Sequence, residues 1–153
     1  MYYLVEASQY IGETAMLVPC TSGPRDEIWL RKVYAGLVED RRLTTIFRPG
    51  KRLSGDPKGF SVGETLRIRI IENPGVDWAG VLGQLVEGFS VPVEVRSVTV
   101  RPIGRLVPED FAGSTPDVCD RESLRYHLGL VYNLPLSAFA DDALVTRTTF
   151  RYR

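Results

Sequence analysis

The residues best equipped for chemistry gather in one stretch. Between Arg41 and Ile71 stand Arg41, Arg42, Arg48, Lys51, Arg52, Lys58, Arg67 and Arg69 against Asp56 and Glu64; eight minus two leaves a local excess of six positive charges. The whole chain has a formal net charge of zero. A one-sided basic patch on a neutral protein suits an anionic ligand. The alternative is a solvated face that Glu39, Asp40 or Glu94 neutralises in three dimensions. Arg48, Lys51 and Arg52 present donors that fit phosphate or carboxylate, and a guanidinium also stacks on bases. Thr44 and Thr45 add hydroxyls that both donate and accept. Asp117 lies in a polar loop with Gly113 and Pro116 and can accept an exocyclic amine, as carboxylates do with cytosine. Together these groups could hold a nucleobase and its phosphate. His127, the single histidine, sits in an apolar stripe and is expected to be a satisfied, partly buried side chain.

These groups need elements to hold them. Leu43 to Arg48 is β-branched and aromatic and reads as a strand, stopped by Pro49 and Gly50. Lys51 to Gly59 reads as an exposed loop, the kind of place where binding residues collect between rigid strands. Thr65 to Ile71 alternates Leu66, Ile68 and Ile70 with Thr65, Arg67 and Arg69, so one face is core and the other basic. Val91 to Val100 is a long strand whose apolar phase shifts at Arg96-Ser97, which predicts a bulge or a barrel corner. Leu144 to Tyr152 is a last strand after an Asp141-Asp142 turn. Short strands are expected over residues 2 to 7 and 15 to 19.

Two helices complete the pattern. Pro24 with Asp26 and Glu27, followed by Leu30, Val33, Tyr34 and Leu37 at helical spacing, predicts an amphipathic helix over about 25 to 38. Asp120 as N-cap, then Leu124, His127, Leu128 and Val131, predicts a second, ending near Asn133-Leu134-Pro135. Residues 72 to 88 read as an insertion with a short helix. Several strands at irregular spacing with two helices argue a single α+β domain on a small, closed or nearly closed β-barrel.

Composition excludes several classes. A length of 153 residues with 44% hydrophobic and 25% charged residues is that of one globular domain. No apolar run is long enough for a transmembrane helix, and Met1 to Glu6 has no basic n-region, so a cytoplasmic protein with no membrane partner is expected. Cys20 and Cys119 are expected to be free thiols. With one histidine and no CxxC or CxxH pattern, neither a metal nor another cofactor is expected.

The order of helix, Thr44-Thr45-Ile46-Phe47-Arg48, basic loop, Phe60-Ser61-Val62-Gly63-Glu64, two strands, Pro108-Glu109-Asp110-Phe111, helix and final strand resembles the ASCH domain of the PUA-like β-barrel superfamily. Thr44 and Arg48 match its Lys-Thr-x-Thr-x-Arg strand, and Phe60, Gly63 and Glu64 its Phe-x-x-Gly-Asp turn. The resemblance covers about residues 27 to 153 and leaves residues 1 to 24 as an unexplained N-terminal extension. It implies a PUA-like small mixed barrel with two flanking helices and an RNA-related role. It also places Arg48 and Asp117 at one rim of the barrel, so that they line the same pocket.

Some small bacterial members of that family deacylate N4-acetylcytidine through the motif lysine, its second threonine and a carboxylate before the last helix. Aligned on Arg48 without gaps, the lysine falls on Leu43 and the second threonine on Ile46, so neither group is matched. A one-residue slip brings Arg42 and Thr45 into those places, and the carboxylate falls near Asp117. Arginine stays protonated and cannot replace lysine as a base.

The primary expectation is therefore a module that binds RNA or a nucleotide, with Thr44, Thr45, Arg48, Lys51 and Arg52 as ligand-binding residues. The first alternative is a small hydrolase of an N4-acetylcytidine-like amide or of RNA, with Asp117, Thr45 and Arg42 as the catalytic set. The second is a protein-interaction module using the N-terminal strands.

Overall fold

The computed structural model describes residues 24–73 and 83–153. The strands expected over 2 to 7 and 15 to 19, and the helix expected within 72 to 88, fall wholly or largely outside the described residues. The described part is one six-stranded sheet with two α-helices and several short 3-10 turns. The strands are β1 (Glu27–Arg31), β2 (Thr45–Pro49), β3 (Thr65–Asn73), β4 (Gln84–Leu85), β5 (Val91–Pro102) and β6 (Leu144–Tyr152). Their order is β1-β3-β5-β6-β2, with β4 paired to β3. All pairings are antiparallel except β1 with β3.

The predicted helix over 25 to 38 is replaced by a strand and a short helix. Glu27–Arg31 extends beside β3, setting Ile28 against Ile68 and Leu30 against Ile70. Ile28, Trp29 and Leu30 favour a pleated surface, and Ile28 is fully buried there. Only the second half of the segment coils: a 3-10 turn over Lys32–Tyr34 leads into α1 (Ala35–Glu39). The helical spacing that Tyr34 and Leu37 supply belongs to this short piece. Val33, counted in the apolar stripe, is 72% exposed.

The other elements follow from the pattern. Leu66, Ile68 and Ile70 are fully buried while Thr65 and Arg67 face solvent. The register between β5 and β6 shifts between Val95 and Ser97, where the apolar phase changes. α2 (Arg121–Tyr132) starts on Asp120, whose side chain accepts from the Ser123 N–H at 2.7 Å. It ends at Asn133 in the left-handed conformation, with φ of 54°.

Ile28, Ile46, Ile68, Val93 and Phe150, from all five long strands, share one buried cluster with Val38, Leu43 and Phe60. Strands at both ends of the sheet order thus contribute to the same core, so the sheet curls. Each fully buried Leu or Ile contributes about 1.5–3 kcal/mol. A second cluster lies under α2, joining Leu124 and Leu128 to Ile103, Phe111, Phe139 and Val145. The sheet does not close, however: among the described residues β1 and β2 have no pairing on their outer edges. Of the α+β domain expected on a closed or nearly closed barrel, the described residues show the mixed α+β sheet with its two helices, curled and open. At five residues each, β1 and β2 leave a seam that helix and loop cover instead of hydrogen bonds.

Candidate functional site

The seam is where a cleft forms. Trp29, Leu30 and Arg31 reach it from β1, and Thr45, Ile46, Phe47 and Arg48 from β2. Its volume is about 80 Å³. α2 supplies the third wall through Leu124, His127, Leu128, Val131 and Tyr132. Tyr34, Ser114, Thr115 and Val118 complete it. The apolar spacing of α2 that makes the second core also aims His127 into the cleft, where its side chain is 21% exposed.

The loop that brings Ser114 and Thr115 here is fastened to the start of β2. The Gly113 carbonyl accepts from the Thr44 N–H at 2.8 Å and from the Thr45 N–H at 3.1 Å. The Thr45 hydroxyl donates to the Ala112 carbonyl at 2.8 Å. Gly113 has φ of +80°, and a Cβ there would lie 2.0 Å from the Thr44 hydroxyl oxygen. Only glycine allows both the turn and this approach.

From that loop Asp117 meets three side chains of the cleft. The Tyr34 hydroxyl donates to its Oδ2 at 2.6 Å, and Arg31 donates to the same oxygen at 3.3 Å. His127 Nδ1 stands 3.6 Å away. Arg31 also donates to the Tyr34 hydroxyl at 2.6 Å and lies over its ring, 5.1 Å from the centroid. Burial pushes the Asp117 carboxyl up, but hydrogen bonds from His127, Thr115 and Tyr34 outweigh it and hold the group well below the usual carboxylate range. Burial pushes the Tyr34 phenol up to about 12, with Arg31 opposing. At neutral pH the pair is an ionised acceptor and a protonated donor.

The structure gathers some of the sequence-predicted residues and separates others. Thr45 and Arg48 line the cleft, and Asp117 adjoins it through Tyr34, Arg31 and His127. Thr44 acts through its main chain, joining Gly113 to β6 by accepting from the Phe150 N–H at 2.9 Å. Lys51 and Arg52 follow β2 in the loop. Lys51 pairs with Asp56 at 3.2 Å. The Arg52 N–H donates to the Thr146 hydroxyl at 2.9 Å, and its Nε to the Pro49 carbonyl at 3.1 Å. Arg42 is not among the residues lining the cleft; its side chain is 69% exposed and stands 3.9 Å from Asp40. Asp117, Thr45 and Arg42 therefore do not converge as a set.

The Phe60 to Glu64 motif has its own structural account. Phe60 is buried in the main core, and the guanidinium of Arg48 lies 5.9 Å from its ring centroid. Gly63 turns the chain with φ of +89°. Glu64 accepts from the Ser61 N–H at 2.9 Å and pairs with Arg25, which also donates to the Gly59 carbonyl at 2.8 Å. The Arg25 hydrogen bond is the main cause holding Glu64 below its ordinary range, against a smaller effect of burial. The motif thus ties the loop after β2 to the residues before β1.

No family model and no curated protein matches this chain. Among solved structures, it is similar to a protein of Enterococcus faecalis V583 of the family DUF984, at 14% identity, covering 92% of this chain and 84% of that chain with a TM-score of 0.49. It is also similar to an ASCH domain from Lactobacillus crispatus JV V101, at 15% identity, covering 79% of this chain and 70% of that chain with a TM-score of 0.45.

Four cleft groups escaped the sequence reading. Arg31 and Tyr34 fell inside the predicted helix, and Ser114 and Thr115 in a loop with no pattern. An arginine and a tyrosine three positions apart were the available signal for the first pair. The assembled cleft is lined by Arg31 and Arg48, whose guanidinium groups suit an anion, and the fixed carboxylate of Asp117 adjoins it. Among the described residues no group of three His, Cys, Asp or Glu side chains could hold a metal ion, and no helix is long and apolar enough to cross a membrane.

Proposed function

We propose that this chain is an RNA- or nucleotide-binding module, one ASCH/PUA-like domain that takes a nucleobase at the seam between β1 and β2. The observation that carries the reading is the composition of that seam. Arg31 lines it from β1 and Arg48 from β2, and an ionised Asp117 is fixed at the edge by Tyr34 and Arg31. A guanidinium binds phosphate or stacks on a base, and a carboxylate accepts a base amine.

The size of the cleft sets how a base enters. A cavity of about 150 Å³ holds benzene. At about 80 Å³ the cleft takes the edge of a base, with the rest of the ring and the phosphate outside. Lys51 and Arg52, in the loop after β2, are then the phosphate-side residues. Hydrolysis of an amide or of RNA is the less supported reading. A carboxyl held far below its ordinary range is a weak base and carries no proton to donate at neutral pH. Thr45 already spends its hydroxyl proton on Ala112.

The test is a titration of labelled single-stranded RNA at two salt concentrations. Affinity should fall steeply with salt. Arg48→Ala with Lys51→Ala should weaken binding and lower the slope of log affinity on log salt by about 1.4, from about 0.7 per phosphate contact on a single strand. No binding at low salt, or binding untouched by the double substitution, refutes the reading.

A further inference from the structure

Away from the seam, the outer face of the sheet carries a second concentration of charge. β3 puts Arg67 and Arg69 on the side opposite the core. β6 and the residue after it add Arg151 and Arg153, and the bulge in β5 adds Arg96. Two carboxylates answer these five arginines. Glu27 pairs with Arg69 at 3.1 Å. Glu94 takes Arg151 at 2.7 Å and Arg153 at 3.7 Å and also feels Arg96. Five minus two leaves an excess of three positive charges on a chain whose formal net charge is zero.

The register shows that this is one surface. Thr65 of β3, Glu94 of β5 and Arg151 of β6 stand in one row across the sheet. Arg67 and Pro92 form the next row, and the Arg153 N–H meets the Pro92 carbonyl at 3.4 Å. Adjacent strands are about 4.8 Å apart, so Arg67 and Arg153 bracket roughly 10 Å. That is about three nucleotide steps along one duplex strand, at 3.4 Å each. Arg67 reaches the Ser90 hydroxyl at 3.1 Å and Arg153 the Thr65 hydroxyl at 3.1 Å. Both bonds are to neutral hydroxyls, and Arg153 shares the one Glu94 carboxylate with Arg151.

We propose that the outer face of β3, β5 and β6 is a phosphate-binding platform for a nucleic acid backbone, with Arg67, Arg151 and Arg153 as its contacts and Glu94 as the internal counter-charge that organises and limits it. The platform reads backbone charge and carries no base specificity, because arginines on a pleated face meet phosphates without entering a groove. Glu94 holds Arg151 and Arg153 in place, and a phosphate takes over part of its role when bound. The proposal goes beyond the nucleobase cleft and does not use its residues.

The experiment measures anisotropy of a fluorescent single-stranded 16-nucleotide RNA with the full chain at several salt concentrations. Arg67→Gln, Arg151→Gln and Arg153→Gln combined should lower affinity at least tenfold and reduce the salt slope by about 2, from about 0.7 for each of three contacts. Glu94→Gln should raise affinity several-fold, a gain that misfolding cannot produce. A triple variant with unchanged affinity and slope, or a Glu94→Gln protein that binds more weakly, overturns the platform. So does equal displacement of the RNA by polyglutamate of the same charge, which would mark the face as a site for acidic protein. Loss in the triple variant with Arg48→Ala neutral would leave the platform standing and remove the cleft reading. The reverse result would do the opposite, and no binding of this RNA at low salt would overturn both.

Discussion

Tyr34→Phe tests the polar assembly that holds the cleft. The ring is 6% exposed, and phenylalanine keeps its packing, so no cavity forms. What is lost is the hydroxyl that donates to Asp117 at 2.6 Å and accepts from Arg31 at 2.6 Å. A hydrogen bond to a charged group contributes about 1.5–3 kcal/mol. The Asp117 side chain is 46% exposed, so solvent screening places the loss at the low end, about 1.5 kcal/mol. For a chain of this length that is a fall in Tm of about 3–6 °C. The pH dependence is distinctive. The folded pKa of Asp117 lies below its ordinary value, so its contribution is complete above about pH 4 and is lost as pH falls through the folded value. The gap between parent and variant should be flat from pH 7 to pH 5 and narrow below about pH 4. Urea denaturation followed by tryptophan fluorescence at pH 7, 5 and 3.5 measures it. Equal stability at pH 7, or a gap that already narrows between pH 7 and pH 5, would refute the assignment of the Tyr34 hydroxyl to an ionised Asp117.

Two further substitutions probe what positions the site. Gly113→Ala should cost at least about 1–3 kcal/mol, from a positive φ and a Cβ driven into Thr44; denaturation should show the loss, and RNA binding should weaken because the Thr115 to Asp117 loop shifts. Asp120→Ala removes the N-cap of α2 and should cost about 1 kcal/mol, with binding at saturating protein unchanged.

How much of this was legible in the sequence depends on whether the deciding contact was local. The Asp120 cap, the bulge at Arg96 and the alternation of β3 are local patterns, and they stand in the fold where the residues put them. β1 was not legible, because its strand character comes from a parallel partner 40 positions on, Ile28 beside Ile68. Its helical spacing was real but belonged to the turn that follows. The open seam was hidden for the same reason: whether a curled sheet closes depends on two edge strands far apart in sequence. The cleft mixes the two cases. Thr45 and Arg48 stood out by type and spacing in one strand. Arg31, Tyr34, Ser114 and Thr115 come from segments whose meeting only the fold decides. Arg42, chosen for its charge and its place in the motif, lies before β2 begins and pairs with Asp40 at the surface.

Base binding at the seam between β1 and β2 would show at the amides that line it. The most direct measurement is an NMR titration of the ¹⁵N-labelled full chain with a short single-stranded RNA at low salt. A base in the seam should give saturable shifts concentrated at the amides of Arg31, Thr45, Arg48, Thr115 and His127. Saturable binding that leaves these five amides unmoved would contradict it.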